Sequence, residues 1–78
     1  MPEKGSFTTD EVFSGFQAGN SLRGARYRED VSQRQLAKLT GVSVLNISAM
    51  ENGRRPIGKE MAKRFAQVLN TDWRLLLS

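Results

Sequence analysis

The sequence predicts an all-α domain of five helices, with a short N-terminal arm or an extra helix ahead of them. Three observations predict it. Apolar residues recur three and four apart along most of the 78 residues, the spacing of one helix face. Most of these stretches follow a Ser, Thr or Asn suited to capping a helix start and run into Gly or Asn at their end. No stretch of the chain reads as a strand.

Residues 1–19 read as an arm. The first six, with Pro2 and Gly5 and little that is apolar, are expected to be frayed. Thr8 and Glu11 fit a capping box ahead of Val12, Phe13 and Phe16, which share a face. A short helix over about 9–17 follows, weakened by Gly15 and Gly19. Its phenylalanines either cover the edge of the core or dock on another protein or a second subunit.

Residues 20–78 form the body. Asn20 or Ser21 caps a helix over 22–28 striped by Leu22 and Ala25, in which Gly24 costs about 1 kcal/mol relative to alanine. Glu29-Asp30 breaks the pattern and Val31 anchors the chain. Ser32 caps the next helix, whose inward side is Leu36, Ala37 and Leu39. Thr40-Gly41 ends it, because glycine accepts the left-handed conformation of a tight exit. Val42 is a buried bridge. Ser43 then caps a helix with Ile47 and Met50 inward, closed by Asn52-Gly53. Arg54-Arg55-Pro56 is a loop, since the proline pushes Arg55 away from helix. Gly58 opens the most regular helix, with Met61, Ala62, Phe65, Ala66 and Leu69 as its buried stripe and Lys59, Lys63 and Arg64 solvated. Ile57 and Ala62 form a weak staple at its start. Asn70 closes it, and Thr71 caps a last helix over 72–77 that buries Trp73, Leu76 and Leu77.

Composition narrows the function. There is no Cys and no His, so thiolate and imidazole metal sites are absent and the commonest general base is missing. No phosphate loop or nucleophile-plus-base set appears. An enzyme, a metal and a cofactor are therefore not expected. The longest apolar run is Leu75-Leu76-Leu77, far short of a membrane span. The start of the chain lacks a charged-then-apolar leader pattern, so the expected address is the cytoplasm. Residues 1–19 carry one lysine against three carboxylates, net −2. The rest carries 11 basic and 5 acidic groups, net +6. A basic body suits a polyanion partner, though solubility alone accounts for the same balance.

The stretch 32–53, SQRQLAKLTGVSVLNISAMENG, organises the chain. Leu36, Val42, Ile47 and Met50 point into a shared core, Ala37 is small where two helices cross, and Gly41 makes the turn. This is the spacing of a helix-turn-helix, whose second helix is free to enter a major groove. Over about 20–77 the chain resembles the lambda-repressor and Cro family, the xenobiotic-response-element family. The resemblance is strongest in S-Q-R-Q-L-A, L-T-G-V-S, I-S-A-M-E-N-G and A-K-R-F-A-Q-V-L. It implies a five-helix lambda-repressor-like DNA-binding domain acting as a homodimer, usually a repressor, at the nucleoid when bound. It further implies that Gln33 bonds a phosphate and that Ser43, Val44, Leu45, Asn46, Ser48 and Ala49 face the bases. Asn52, Arg54 and Arg55 would grip the backbone, and Arg26 would pair with Glu51. Glu51 lies on the flank of the second helix, where a semi-buried carboxylate needs such a partner.

The outward side departs from the family pattern. Readers of this type place Gln, Arg or Asn early in the helix for bidentate bonds to bases. Val44 and Leu45 stand there instead. They touch thymine methyls or exclude water; otherwise they meet protein or tolerate solvent. Sequence preference then falls to DNA shape or to the loop arginines. The expected function is a double-stranded DNA-binding transcription regulator. Its rival is the antitoxin of a toxin–antitoxin pair, with a toxin protein as second partner, favoured by the acidic, phenylalanine-bearing leader.

Overall fold

The computed structural model describes residues 9–77, with side chains from Gln17 onward. Its elements are α1 (Thr9–Arg28), α2 (Gln33–Thr40), α3 (Val44–Glu51), α4 (Lys59–Leu69) and one 3₁₀ turn, Trp73–Leu75. Among the described residues there is no strand, and no helix is long and apolar enough to cross a membrane.

The two helices expected over 9–17 and 22–28 are one helix. Neither Asn20 nor Ser21 acts as a cap, and the boundary between residues 19 and 20 falls inside α1. Packing explains the continuity: Ala18, Leu22 and Ala25 are buried at helical spacing and hold the helix down across its glycines. The capping box of Thr8 and Glu11 and the side chains of Phe13 and Phe16 lie outside the described residues. The fold thus has four helices and a 3₁₀ turn where five helices were expected.

Ser32 starts α2 with a complete capping box. Its hydroxyl accepts from the Gln35 N–H at 3.0 Å, and the Gln35 side-chain oxygen accepts from the Ser32 N–H at 2.8 Å. Leu36 and Thr40 face the core from this helix. Leu39 does not: it is exposed, one position short of Thr40, which takes the inward place of that turn. The Thr40 hydroxyl donates to the Leu36 carbonyl at 2.7 Å and accepts from the Val42 N–H at 3.3 Å, which locks the turn from inside. Gly41 makes the corner at φ 78°. From α4, Arg64, expected in solvent, donates to the Thr40 carbonyl at 3.4 Å, and so steadies the C-terminal end of α2.

The core joins Leu22, Leu36, Val42, Ile47, Ile57, Ala62, Phe65, Leu69 and Leu76. Ala62, Phe65, Ala66 and Leu69 of the α4 stripe enter it as expected, while Met61 is only partly buried against it. At the C-terminal end the expected helix is only the 3₁₀ turn, capped by Asp72 rather than Thr71. Leu76 is sealed, Trp73 is partly buried under Lys59 and Lys63, and Leu77 stays exposed. Three residues of turn can drive only one of these side chains into the core.

Candidate nucleic-acid interface

Helix α3 is short, so each of its eight residues has a definite side. Ser43 starts it in an extended conformation, its hydroxyl accepting from the Asn46 N–H at 3.2 Å. Ile47, Met50 and Glu51 turn inward and are buried. Val44, Leu45 and Ser48, on the other side of the turn, are left facing out. Leu45 is 83% exposed and Val44 39%. Asn46, Ser48 and Ala49 are half-exposed, and Ser43 is exposed.

The loop after α3 is bound to it by backbone. The Gly53 N–H donates to the Met50 carbonyl at 3.2 Å and the Arg54 N–H to the Ala49 carbonyl at 2.9 Å. Arg54 and Arg55 therefore project from the end of α3. Both are exposed, and neither makes an ion pair among the described residues.

Beneath this surface lies a carboxylate with four donors. Glu51 is 2% exposed. Arg26 donates from Nε to Oε2 at 2.7 Å and from its terminal nitrogen to Oε1 at 3.0 Å, a bidentate pair. Gln33 Nε2 donates to Oε1 at 3.0 Å, and Arg23 Nε reaches the same oxygen at 3.5 Å. Burial pushes the Glu51 carboxyl up, but the hydrogen bonds from Arg26 and Gln33 and the charges of Arg26 and Arg23 outweigh it. The group is held below the ordinary glutamate range. The third guanidinium nitrogen of Arg26 donates to the Val31 carbonyl at 3.0 Å, so the loop after α1 joins the network. No buried side-chain nitrogen or oxygen among the described residues lacks a partner.

Gln33 thus faces Glu51 with one of its two amide protons and keeps the other. Asn52 is committed internally: its Oδ1 accepts from Arg23 at 3.2 Å and its Nδ2 donates to the Ser48 carbonyl at 2.8 Å. Arg23 was missed in the sequence, although it stands three residues before Arg26 and shares its face. It also donates to the Glu51 main-chain carbonyl at 3.3 Å, one of the orphan carbonyls at the end of α3.

Residues 25–76 match the HTH_3 family model, helix-turn-helix. The chain belongs to the HTH_3 helix-turn-helix family. No curated protein matches it. Among solved structures it is similar to an HTH_3 family transcriptional regulator from Vibrio cholerae, at 24% identity and TM-score 0.76. That similarity covers 85% of this chain and 37% of the Vibrio chain, so this chain spans little more than a third of that relative. It is similar to the restriction-modification controller protein C.AhdI from Aeromonas hydrophila, at 27% identity and TM-score 0.73, over 90% of this chain and 100% of the other. A third is the clp gene regulator ClgR from C. glutamicum, at 25% identity and TM-score 0.75, over 81% and 82%. This HTH_3 domain is a DNA-binding transcription regulator and not an enzyme. Its all-helical, lambda-repressor-like architecture is that of its neighbours.

Proposed function

We propose that this HTH_3 domain binds duplex DNA as a homodimer and represses transcription by occluding the promoter. The α3 helices of two copies, about 34 Å apart, enter successive major grooves. Ser43, Val44, Leu45, Asn46, Ser48 and Ala49 face the bases. Arg54 and Arg55 hold phosphates, Gln33 offers its remaining N–H to another, and Asn52 fixes the turn from which the arginines project. The domain then works in the cytoplasm, at the nucleoid when bound. One observation carries this reading: the uncovered side of α3 runs directly into two exposed arginines that have no carboxylate partner among the described residues.

Phosphate contacts make affinity salt-dependent, with a slope of about −0.9 per neutralised phosphate. The Arg54→Ala/Arg55→Ala double variant is expected to fold as the parent does, because both side chains are exposed. Its plot of log affinity against log salt should flatten by about 1.8 per protomer. Fluorescence anisotropy across a salt series measures this. An unchanged slope and affinity would show that these arginines do not touch the duplex.

The antitoxin reading rests on residues 1–19, which carry net −2 and Phe7, Phe13 and Phe16. In it, the leader masks a basic toxin while 20–78 holds the operator. It requires a small basic protein, encoded beside this gene, that binds the full chain and is lost when Phe7, Phe13 and Phe16 are replaced by serine in a chain whose circular dichroism is unchanged.

A further inference from the structure

We propose that Leu45, backed by Val44, reads the 5-methyl group of pyrimidines on the floor of the major groove. Thymine and 5-methylcytosine are then recognised alike, and the domain senses cytosine methylation at its site. The inference rests on the DNA-binding reading above and adds the chemistry that this helix selects.

The argument starts from what the outward side of α3 has left to offer. The Ser43 hydroxyl accepts from the Asn46 N–H and keeps only its own O–H to donate. Ser48 accepts from the Asn52 amide, at 2.8 Å through its carbonyl and 3.4 Å through its hydroxyl, and likewise keeps one O–H. The most exposed side chain of the first turn is a hydrocarbon, Leu45, with Val44 and the half-exposed Asn46 beside it. An apolar side chain gains in the groove only by meeting another apolar group. The pyrimidine C5-methyl is the one such group that the groove floor presents. Thymine always carries it and cytosine carries it only when methylated, so a hydrocarbon reader treats the two methyls as one signal. Charge selects the occupant: net +6 over residues 20–78 and the two exposed arginines beside α3 favour a polyanion over a second, equally basic copy at this face.

The test uses the full chain and a duplex that it selects from a random-sequence pool. Each thymine in that duplex is replaced by uracil, which deletes the methyl and nothing else. Each cytosine is separately replaced by 5-methylcytosine, which adds it. At one or two positions per half-site, uracil should weaken binding about fourfold per methyl lost, the factor for burying one carbon. A cytosine placed at the same position should bind about fourfold better when methylated. Leu45→Ala should erase both differences, and its thermal unfolding should match the parent's, because the residue is exposed and holds nothing together.

Equal binding of thymine and uracil duplexes by the parent chain would overturn the inference while DNA binding stood. Methyl dependence that survives the Leu45→Ala/Val44→Ala double variant would overturn the assignment to these residues. Failure to bind any duplex would instead bring down the reading on which the inference rests.

Discussion

Glu51→Ala is expected to lower the stability of the domain by about 3–5 kcal/mol, read from the denaturant midpoint. A chain this small has roughly 4–12 kcal/mol in total, so the variant loses a large share of it. The cause is the group left behind. Arg26, 6% exposed, keeps its charge and loses both hydrogen bonds that made its burial tolerable. Gln33 and Arg23 lose a partner too, but each has surface enough to turn to water. Removing both buried charges together differs from removing one. Arg26→Met/Glu51→Leu should recover most of the loss, because a well-packed apolar pair is often no worse than a buried ion pair. A cost below about 1 kcal/mol for Glu51→Ala would mean that the pair behaves as an exposed one.

The same network sets an acid limit. The unfolded chain protonates Glu51 near its ordinary value, while the folded chain holds the carboxylate to lower pH. Between those two values the unfolded state binds the extra proton, so stability falls as pH falls. Glu51's contribution should be complete above about pH 5 and drain away through the range below about pH 4.5. Arg26→Met/Glu51→Leu should lose this part of the acid dependence. Asp72, also lowered by its hydrogen bonds from Arg74, titrates in both proteins and cancels from the comparison.

Gly19→Ala is the second large effect, with an expected net loss of about 2–3 kcal/mol on thermal or denaturant unfolding. Alanine is the better helix former by about 1 kcal/mol, so local preference alone predicts a gain. The structure reverses the sign. A Cβ on Gly19 would lie 2.6 Å from the Met50 carbonyl oxygen and closer still to that of Glu51. Both are backbone atoms at the end of α3 and cannot swing aside. To admit the methyl, α1 and α3 must part, which also draws Arg26 away from Glu51. Gly24, five residues on in the same helix, is the control. A Cβ there meets nothing within 4 Å, and Gly24→Ala should stabilise by about 0.5–1 kcal/mol. Equal gains at the two sites would show that no close approach exists at Gly19.

These two glycines also show where the sequence was legible. Gly24 costs helix propensity and does nothing else, and a local rule reads it correctly. Gly19 reads only as a weakness in a short helix, because its partner lies more than 30 residues away and no local rule contains it. The same division runs through the rest. Ser32, Gly41, Ser43 and the stripe of α4 act over a few residues, and the structure has them where spacing puts them. The pairing of Arg26 with Glu51 entered through the family resemblance and the flank position of Glu51. The second arginine, Arg23, needed the tertiary approach of α1 and α3 to become visible. Leu39 and Leu77 read as inward because they are leucines, yet one sits a position short of Thr40 in its stripe and the other beyond the last turn. Gln33 and Asn52 could be named from the motif, but not that both amides are already bonded within the protein.

In the proposed complex the outer side of α3 and the loop behind it receive the duplex. Backbone amide shifts of ¹⁵N-labelled protein, followed as the selected duplex is added, locate the contact. The changes should cluster on Gln33, on Ser43 through Ala49 and on Asn52 through Arg55, while Lys63, Gln67 and Trp73 stay still. Changes concentrated on α4 and the final 3₁₀ turn, with α3 unmoved, would contradict it.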